Sequence, residues 1–462
     1  MSSLTAKKSK IDKAAMKPPG LEKAESPQAI EEKIGFNDPA FASNKLLPVH
    51  RWIPWIAGFS SDFVSNALDR YLIAPGKVLD PFCGVGTTLV EAVERGHDAT
   101  GFEINPYAAL ASRIKANAHL IDLDNLLAEV SKLESFYSQK ASNGYVPQSE
   151  VPTGFKTRAE FYNPKVLHKV LIVQDFIKDI KDESLRDLFR LAFASTMVRY
   201  SNYSYEPSLG RRVAAGKQEI EDFPVEQEVS KKLKEISEDV AWLQDHIPSK
   251  KPHATVINTS FFDCESHLAS GNVDLVITSP PYLNNYHYNR NTRPQLYWLG
   301  FAQQPSDFNY LEDANFGKFW QTVRGQKRLD LEFDLPDTDI KERLEELRML
   351  NPHKGIYGGN GWANYAASYF NDCRRFSEGL KYALRSGGTA LVVIGNSILQ
   401  GMLIPTDVYF GKIAEAVGLE LVRIDIPRST RVGNSIIKSD VRVAKAQDKH
   451  QLYEAVVELK KR

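Results

Sequence analysis

Short apolar runs alternate with longer segments whose apolar residues recur every turn of a helix, the pattern of strands separated by helices. The strand-like runs are Lys77 to Asp80, Ala99 to Phe102, Thr255 to Asn258, Asp274 to Thr278, Thr389 to Ile394, Leu419 to Ile424 and Tyr453 to Leu459. Helical periodicity follows Thr88, spans Phe370 to Leu384 and precedes Gly418. The alternation predicts an α/β, doubly wound, Rossmann-like fold with a seven-stranded mixed sheet and helical insertions. Residues 46–120, 254–301 and 365–462 supply this domain. Residues 121–253 form a largely helical insertion and residues 302–364 a second one.

Residues 1–45 carry Lys7, Lys8, Lys10, Lys13 and Lys17 among Pro18, Pro19 and Pro27, which reads as a mobile basic arm. The 462 residues are 42% hydrophobic, enough for a substantial core, and the formal net charge of zero shows no global preference for a polyanion. Basic residues cluster locally, at Lys318, Arg324, Lys327 and Arg328 and again at Arg423, Arg428, Arg431, Lys438 and Arg442. Each cluster is either a solvated face or a phosphate contact. Cys83, Cys264 and Cys373 form no CxxC pair, so a disulfide framework is not expected. The histidines lack metal-ligand spacing, and no apolar stretch reaches membrane length. A cytoplasmic protein with no membrane partner and no metal is therefore expected.

The first strand ends in Asp80, and Pro81-Phe82-Cys83-Gly84-Val85-Gly86-Thr87-Thr88 turns from it into a helix. Gly84 and Gly86 permit close approach of a ligand, and the helix start offers free amides. The second strand is closed by Glu103. A dinucleotide site would show GxGxxG, but Leu89 stands where the third glycine belongs, and Asp80 would repel a phosphate. A cofactor with an ammonium group and a ribose diol fits better, Asp80 facing the positive end and Glu103 accepting from both hydroxyls. S-adenosyl-L-methionine has those features. Asp263 is expected to accept from an adenine amino group while Phe262 packs on the ring; a plain surface acid is the alternative.

Ser279-Pro280-Pro281-Tyr282 follows the fourth strand, at the sheet edge where α/β proteins bind ligands. The two prolines stiffen the turn and remove two amide donors, leaving carbonyl acceptors, a hydroxyl and a ring. Such a turn suits an exocyclic amine. If Ser279 Oγ and the Pro280 carbonyl accept its two hydrogens, the nitrogen can pyramidalise toward an electrophilic methyl, with Tyr282 stacked on an extruded base. Cysteine-based attack on a ring carbon lacks a suitable proline-cysteine turn. Downstream, Asn284, Tyr286, Tyr288, Arg290 and Arg293 are expected to form a wall of the target pocket, by amide hydrogen bonds, stacking and phosphate contact.

Asp80 to Thr88 and Thr278 to Tyr282 together resemble the cofactor and catalytic motifs of the amino-methylating DNA methyltransferases, which modify cytosine N4 or adenine N6. The resemblance is close over roughly residues 46–120 and 254–301 and looser through 365–460. It implies S-adenosyl-L-methionine as donor, double-stranded DNA as partner and a flipped base as acceptor. By position it implies a cofactor role for Asp80, Pro81, Phe82, Gly84, Gly86, Thr87, Thr88, Glu103, Phe262 and Asp263. The catalytic turn would be Ser279, Pro280, Pro281 and Tyr282. His50 to Val64, with Ser60, resembles the segment that completes the methionine pocket. Serine at the head of the proline motif points to cytosine N4, since adenine enzymes of this kind usually have aspartate or asparagine there. The glycine motif precedes the proline motif, the reverse of one common order, which leaves either insertion as the reader of DNA. A cognate restriction endonuclease is an implied partner. Adenine N6 methylation, RNA amine methylation and a catalytically silent nucleic-acid-binding module are the alternatives; the last would not need Asp80, Glu103 and the intact proline turn together.

Overall fold

The computed structural model describes residues 35–39, 44–55, 58, 60–205, 208–248, 252–283, 291–428 and 452–462. Seven strands, β1 (Lys77–Asp80), β2 (Asp98–Phe102), β3 (Ala254–Ile257), β4 (Val273–Thr278), β5 (Leu384–Gly395), β6 (Glu420–Arg428) and β7 (Glu454–Lys460), form one sheet. Its order is β3-β2-β1-β4-β5-β7-β6. Neighbours from β3 to β5 run parallel, while β7 is antiparallel to both β5 and β6. This is the class I, Rossmann-like methyltransferase fold. The chain winds outward from β1 in both directions, so the crevice between the carboxyl ends of β1 and β4 is the topological switch point.

Successive residues of each strand face opposite sides of the sheet. Val78, Leu275, Ile277, Leu391 and Val393 enter one core, whereas Leu79, Val276, Val392 and Ile394 enter the other. The first core is covered by α1 (Ser61–Tyr71), α2 (Thr87–Glu94) and α3 (Pro106–Ala116). The helices of the larger insertion, α4 (Leu123–Ser142), α5 (Pro164–Asp179), α6 (Glu183–Thr196) and α7 (Val225–His246), bury Leu126, Val170, Phe189 and Val240 in that same core. The second core is covered by α8 (Gly359–Ala383) and α9 (Thr406–Val417), with residues of 302–364 packed against α8.

Three local features differ from the periodicity reading. Strand β5 begins at Leu384 and carries Ser386-Gly387-Gly388 inside it as an irregularity opposite Val273 to Leu275. Gly388 is needed there because a Cβ would lie 3.1 and 3.2 Å from the carbonyl oxygens of Val273 and Asp274. Two short hairpins, Tyr203–Tyr205 with Leu209–Arg211 and Ser397–Leu399 with Met402–Ile404, were not predicted; three-residue strands are too brief to show a period. The Glu219 to Asp239 stretch mixes acids and lysines and reads as a solvated helix face, yet Asp239 is buried. Much of the basic 318–328 stretch is engaged within the protein: Lys318 donates to the Asp313 carbonyl and Arg328 pairs with Asp330 and Glu345. Arg423 likewise pairs with Glu458. Arg431, Lys438, Arg442 and the arm up to residue 34 lie outside the described residues.

Candidate active site

The glycine loop and the proline turn meet at the switch point because one carboxylate ties their bases together. Asp80 Oδ1 accepts from the Thr278 hydroxyl at 2.6 Å and from the Phe82 amide at 3.0 Å, and Oδ2 accepts from the Thr88 hydroxyl at 2.7 Å. The last residue of β1, the last of β4 and the first turn of α2 thus share one buried group. Burial raises the Asp80 carboxyl to about 6, against the three hydrogen bonds that favour its charge. Asp80 lies beneath the loop, with only 1% of its surface exposed.

The two loop glycines do different work. Gly84 and Gly86 have φ of 51° and 86°, a region unfavourable to side chains. A Cβ on Gly86 would lie 2.5 Å from Ser112 Oγ and 3.0 Å from Ser112 Cα, so this glycine lets α2 approach α3. A Cβ on Gly84 would meet only Trp55 Nε1, at 3.6 Å, and otherwise points into open space. The loop is braced from below by Lys115, a buried lysine that donates to the Val85 carbonyl at 2.8 Å. Burial lowers its ammonium to about 7. Pro81 and Thr87 are buried in the loop and first helical turn, and Phe82 is half-buried against Phe316 and Phe376.

Glu103, half-buried at the end of β2, takes the Gly84 amide on Oε2 at 3.0 Å and the Asn105 amide on Oε1 at 2.7 Å. Burial raises its carboxyl to about 7, opposed by those two amides and assisted by the charge of Asp80. A carboxylate has about four acceptor positions, so two amides leave capacity for a diol. The cradle open at Gly84 and this acceptor pair fit an S-adenosyl-L-methionine loop and ribose. Asp263 sits in the turn after β3, exposed, with Thr259 Oγ1 at 3.4 Å. Phe262 is half-buried, with Phe316 stacked at 6.1 Å and the Arg375 guanidinium 4.0 Å over its ring.

The segment before β1 is held by two acids that periodicity did not single out. Asp239 of α7 accepts from the Val49 amide at 2.8 Å, Trp52 Nε1 at 2.8 Å and the guanidinium of Arg51. Val49 has φ 63° and ψ −44°, and the His50 amide reaches back to the Pro48 carbonyl at 2.6 Å, a strained γ-turn that these contacts hold in place. Glu91 of α2 accepts from His50 Nε2 at 2.8 Å, Ser61 Oγ at 2.6 Å, Ser65 Oγ at 2.6 Å and Arg95 Nη1 at 2.8 Å. Burial would raise Glu91, but His50 and the two serines outweigh it and hold the carboxyl at about 2. Ser60 is the buried N-cap of α1, accepting from the Phe63 amide at 3.3 Å.

In the proline turn, Pro280 is buried while Ser279, Pro281 and Tyr282 are half-buried. Tyr369 of α8 donates to the Pro281 carbonyl at 3.0 Å, and the Tyr282 hydroxyl donates to Glu454 Oε1 at 3.2 Å. Asn284, Tyr286, Tyr288 and Arg290 lie outside the described residues. Arg293 starts the helix Arg293–Trp298 and rests its guanidinium 5.5 Å from the Tyr297 ring centroid. Just before it, Thr292 Oγ1 accepts from Asn105 Nδ2 at 2.8 Å, joining the segment after the proline turn to the end of β2. Tyr369, Glu91, Asp239 and Lys115 escaped the sequence reading because each acts from a helix distant in the chain. Only a buried charge at an apolar helical position, as for Glu91 between Val90 and Ala92, hints at such a role. Among the described residues no group of His, Cys, Asp and Glu converges to hold a metal ion.

No protein-family model matches the chain. It is similar to the type II methyltransferase M.BsoBI of Geobacillus stearothermophilus, 23% identical over 448 residues that cover 88% of this chain and 86% of that protein. It is similar also to the type II methyltransferase M.AvaI of Nostoc sp. strain PCC 7120, 22% identical over 433 residues with the same coverage, 88% and 86%. The type II methyltransferase M.MvaI of Kocuria varians is 24% identical over 251 residues, 52% of this chain and 55% of that protein. The chain is thus a distant relative of type II methyltransferases.

Proposed function

We propose that this chain transfers a methyl group from S-adenosyl-L-methionine to the exocyclic N4 amine of a cytosine extruded from double-stranded DNA. The observation that carries the reading is the bond from Thr278 to Asp80, which joins the base of the glycine loop to the base of the proline turn. Gly84, Glu103, Asp263 and Phe262 would hold the donor, with Asp80 acting from below as anchor of the loop and as a negative charge beneath it. When bound, the donor supplies an electrophilic sulfonium methyl.

The chain's own part is to position and polarise the amine. Ser279 Oγ and the Pro280 carbonyl accept its two hydrogens, drawing the nitrogen lone pair out of the ring, and these contacts strengthen as positive charge develops. Tyr282, anchored through its hydroxyl to Glu454, stacks on the base. The amine proton is lost after the new bond forms, when the nitrogen has become acidic, so no strong base is required beside it.

Serine at position 279 supports cytosine, through the resemblance noted above. A cognate restriction endonuclease is the expected partner in the cell. The test is incubation with methyl-labelled donor and duplex DNA, then digestion to nucleosides and mass spectrometry. N4-methylcytosine is expected; N6-methyladenine in its place would reject the base, and transfer to RNA alone would reject DNA.

A further inference from the structure

Helix α8 runs antiparallel to β4 and β5. Its last residue, Ala383, leads straight into β5, and the amide of Asn272, just before β4, donates to the Ala383 carbonyl at 3.0 Å. Further back along the helix Tyr369 meets the Pro281 carbonyl, past the carboxyl end of β4. Trp362 lies two turns earlier on the same face, about 10 Å beyond Tyr369 at about 1.5 Å per residue. The first turns of α8 therefore stand beyond the carboxyl edge of the sheet, on the side from which a base would reach Ser279.

An aromatic pile covers this end. Trp320 stacks on Trp362 with ring centroids 4.9 Å apart, and Tyr357 tilts against Trp320 at 5.7 Å. The Arg324 guanidinium lies 4.4 Å from the Trp320 centroid and 4.5 Å from that of Tyr357, so two rings hold one cation. A guanidinium flanked by rings keeps its in-plane N–H fork for an outside acceptor, and phosphate matches that fork.

The turn that carries Arg324 is fixed from beneath. Asn364 of α8, fully buried, directs Nδ2 at the carbonyls of Val323 (3.4 Å), Gln326 (3.2 Å) and Lys327 (3.2 Å) and accepts the Leu329 amide on Oδ1 at 2.9 Å. The acids of the same stretch, Asp330 and Glu345, are taken up by Arg328 and Arg348. Lys327, in the clamped turn, and Lys354, in the turn that carries Tyr357, are both exposed. Tyr357 itself is 54% exposed, so the pile is open to solvent on the Arg324 side.

We propose that this end of α8 binds the backbone of duplex DNA beside the extruded base. Arg324 meets one phosphate with its fork, and Lys327 and Lys354 neutralise neighbouring ones. A reach of about 10 Å from the Tyr369 contact corresponds to about three steps of 3.4 Å along one strand, close enough to hold the DNA that flanks the target. The shorter insertion, residues 302–364, thereby becomes a DNA-contacting element. The proposal rests on the reading of duplex DNA as substrate.

The test is fluorescence-anisotropy titration of the full chain, saturated with S-adenosylhomocysteine, into labelled duplex DNA of mixed sequence at several salt concentrations. Arg324→Ala combined with Lys327→Ala and Lys354→Ala is expected to weaken binding about ten-fold or more. It should also lower the slope of log affinity against log salt by about two to three, with S-adenosylhomocysteine affinity unchanged. Tyr357→Ala, which removes one of the rings that hold Arg324, is expected to weaken binding about three-fold. Should the triple variant unfold, Lys327→Ala with Lys354→Ala alone is expected to lower the slope by about one to two. Unchanged affinity and slope in these variants, or no binding of duplex by the unaltered chain, would overturn the proposal. The two readings fail separately. A chain that methylates duplex DNA and binds it equally well without these three charges loses only this surface. One whose duplex binding depends on them but that yields no methylated base loses only the assigned activity.

Discussion

The hydroxyl of Tyr369 donates to the carbonyl of Pro281 at 3.0 Å, tying the proline turn to the middle of helix α8. Tyr369 is fully buried, and burial pushes its phenol well above the ordinary range, so it remains a donor at all working pH values. Tyr369→Phe leaves the carbonyl short of one partner. We expect a loss of about 1 kcal/mol in stability and a several-fold fall in turnover, with the KM for donor unchanged. Steady-state kinetics beside thermal unfolding checks this; wild-type turnover would remove Tyr369 from the machinery that positions the turn.

Ser279→Ala removes one of the two acceptors proposed for the amine. Because that contact strengthens only as charge develops, turnover is expected to fall by about ten- to a hundred-fold while S-adenosylhomocysteine binds as before. A variant that instead lost cofactor affinity at unchanged turnover would contradict the assigned role.

Gly84→Ala and Gly86→Ala should fail in different ways. At position 86 the new methyl meets Ser112 Cα, so stability is expected to drop by about 1–3 kcal/mol or more. At position 84 it projects into the crevice, so donor affinity should suffer most, beside a smaller strain cost of about 1 kcal/mol for the positive φ. Calorimetric titration with S-adenosylhomocysteine and denaturant unfolding separate the two outcomes, and equal loss of affinity in both variants would count against the ligand role of Gly84.

Glu103 predicts a pH dependence. Its carboxyl is raised from 4.5 to about 7, so the folded chain holds that proton more tightly than the unfolded chain. Its contribution to stability therefore falls as pH rises from about 4.5 to about 7 and is level above that. Accepting two ribose hydroxyls favours the charged form, so S-adenosylhomocysteine should bind more tightly as pH rises from about 6 to about 8. Glu103→Gln should flatten this dependence and weaken binding about ten-fold. A binding profile with the same slope in both proteins would sink the assignment.

The strand runs, the helix that opens at Thr87 and the order of motifs were legible in the chain because they depend on neighbours: apolar period, proline stiffness and glycine turns act within a few residues. Asp80 and Thr278 each stood out at a strand end, as did Glu103. That they belong to one crevice follows from the rule that ligands gather at carboxyl ends of strands.

Tertiary structure decided what those residues touch. Asp80 could be expected to face a ligand, yet its three donors come from Thr278, Thr88 and the Phe82 amide, because β1 and β4 lie side by side and bury it. Gly84 and Gly86 look alike in the chain; only the approach of α3 separates the one that borders open space from the one that admits a helix. Glu91, Asp239 and Tyr369 gain their roles from contacts with residues far away in sequence. The chain by itself determined the local elements and the chemistry carried at their ends. Which side chain faces the crevice and which supports it was decided by packing, since burial and hydrogen-bond partners are properties of the folded neighbourhood.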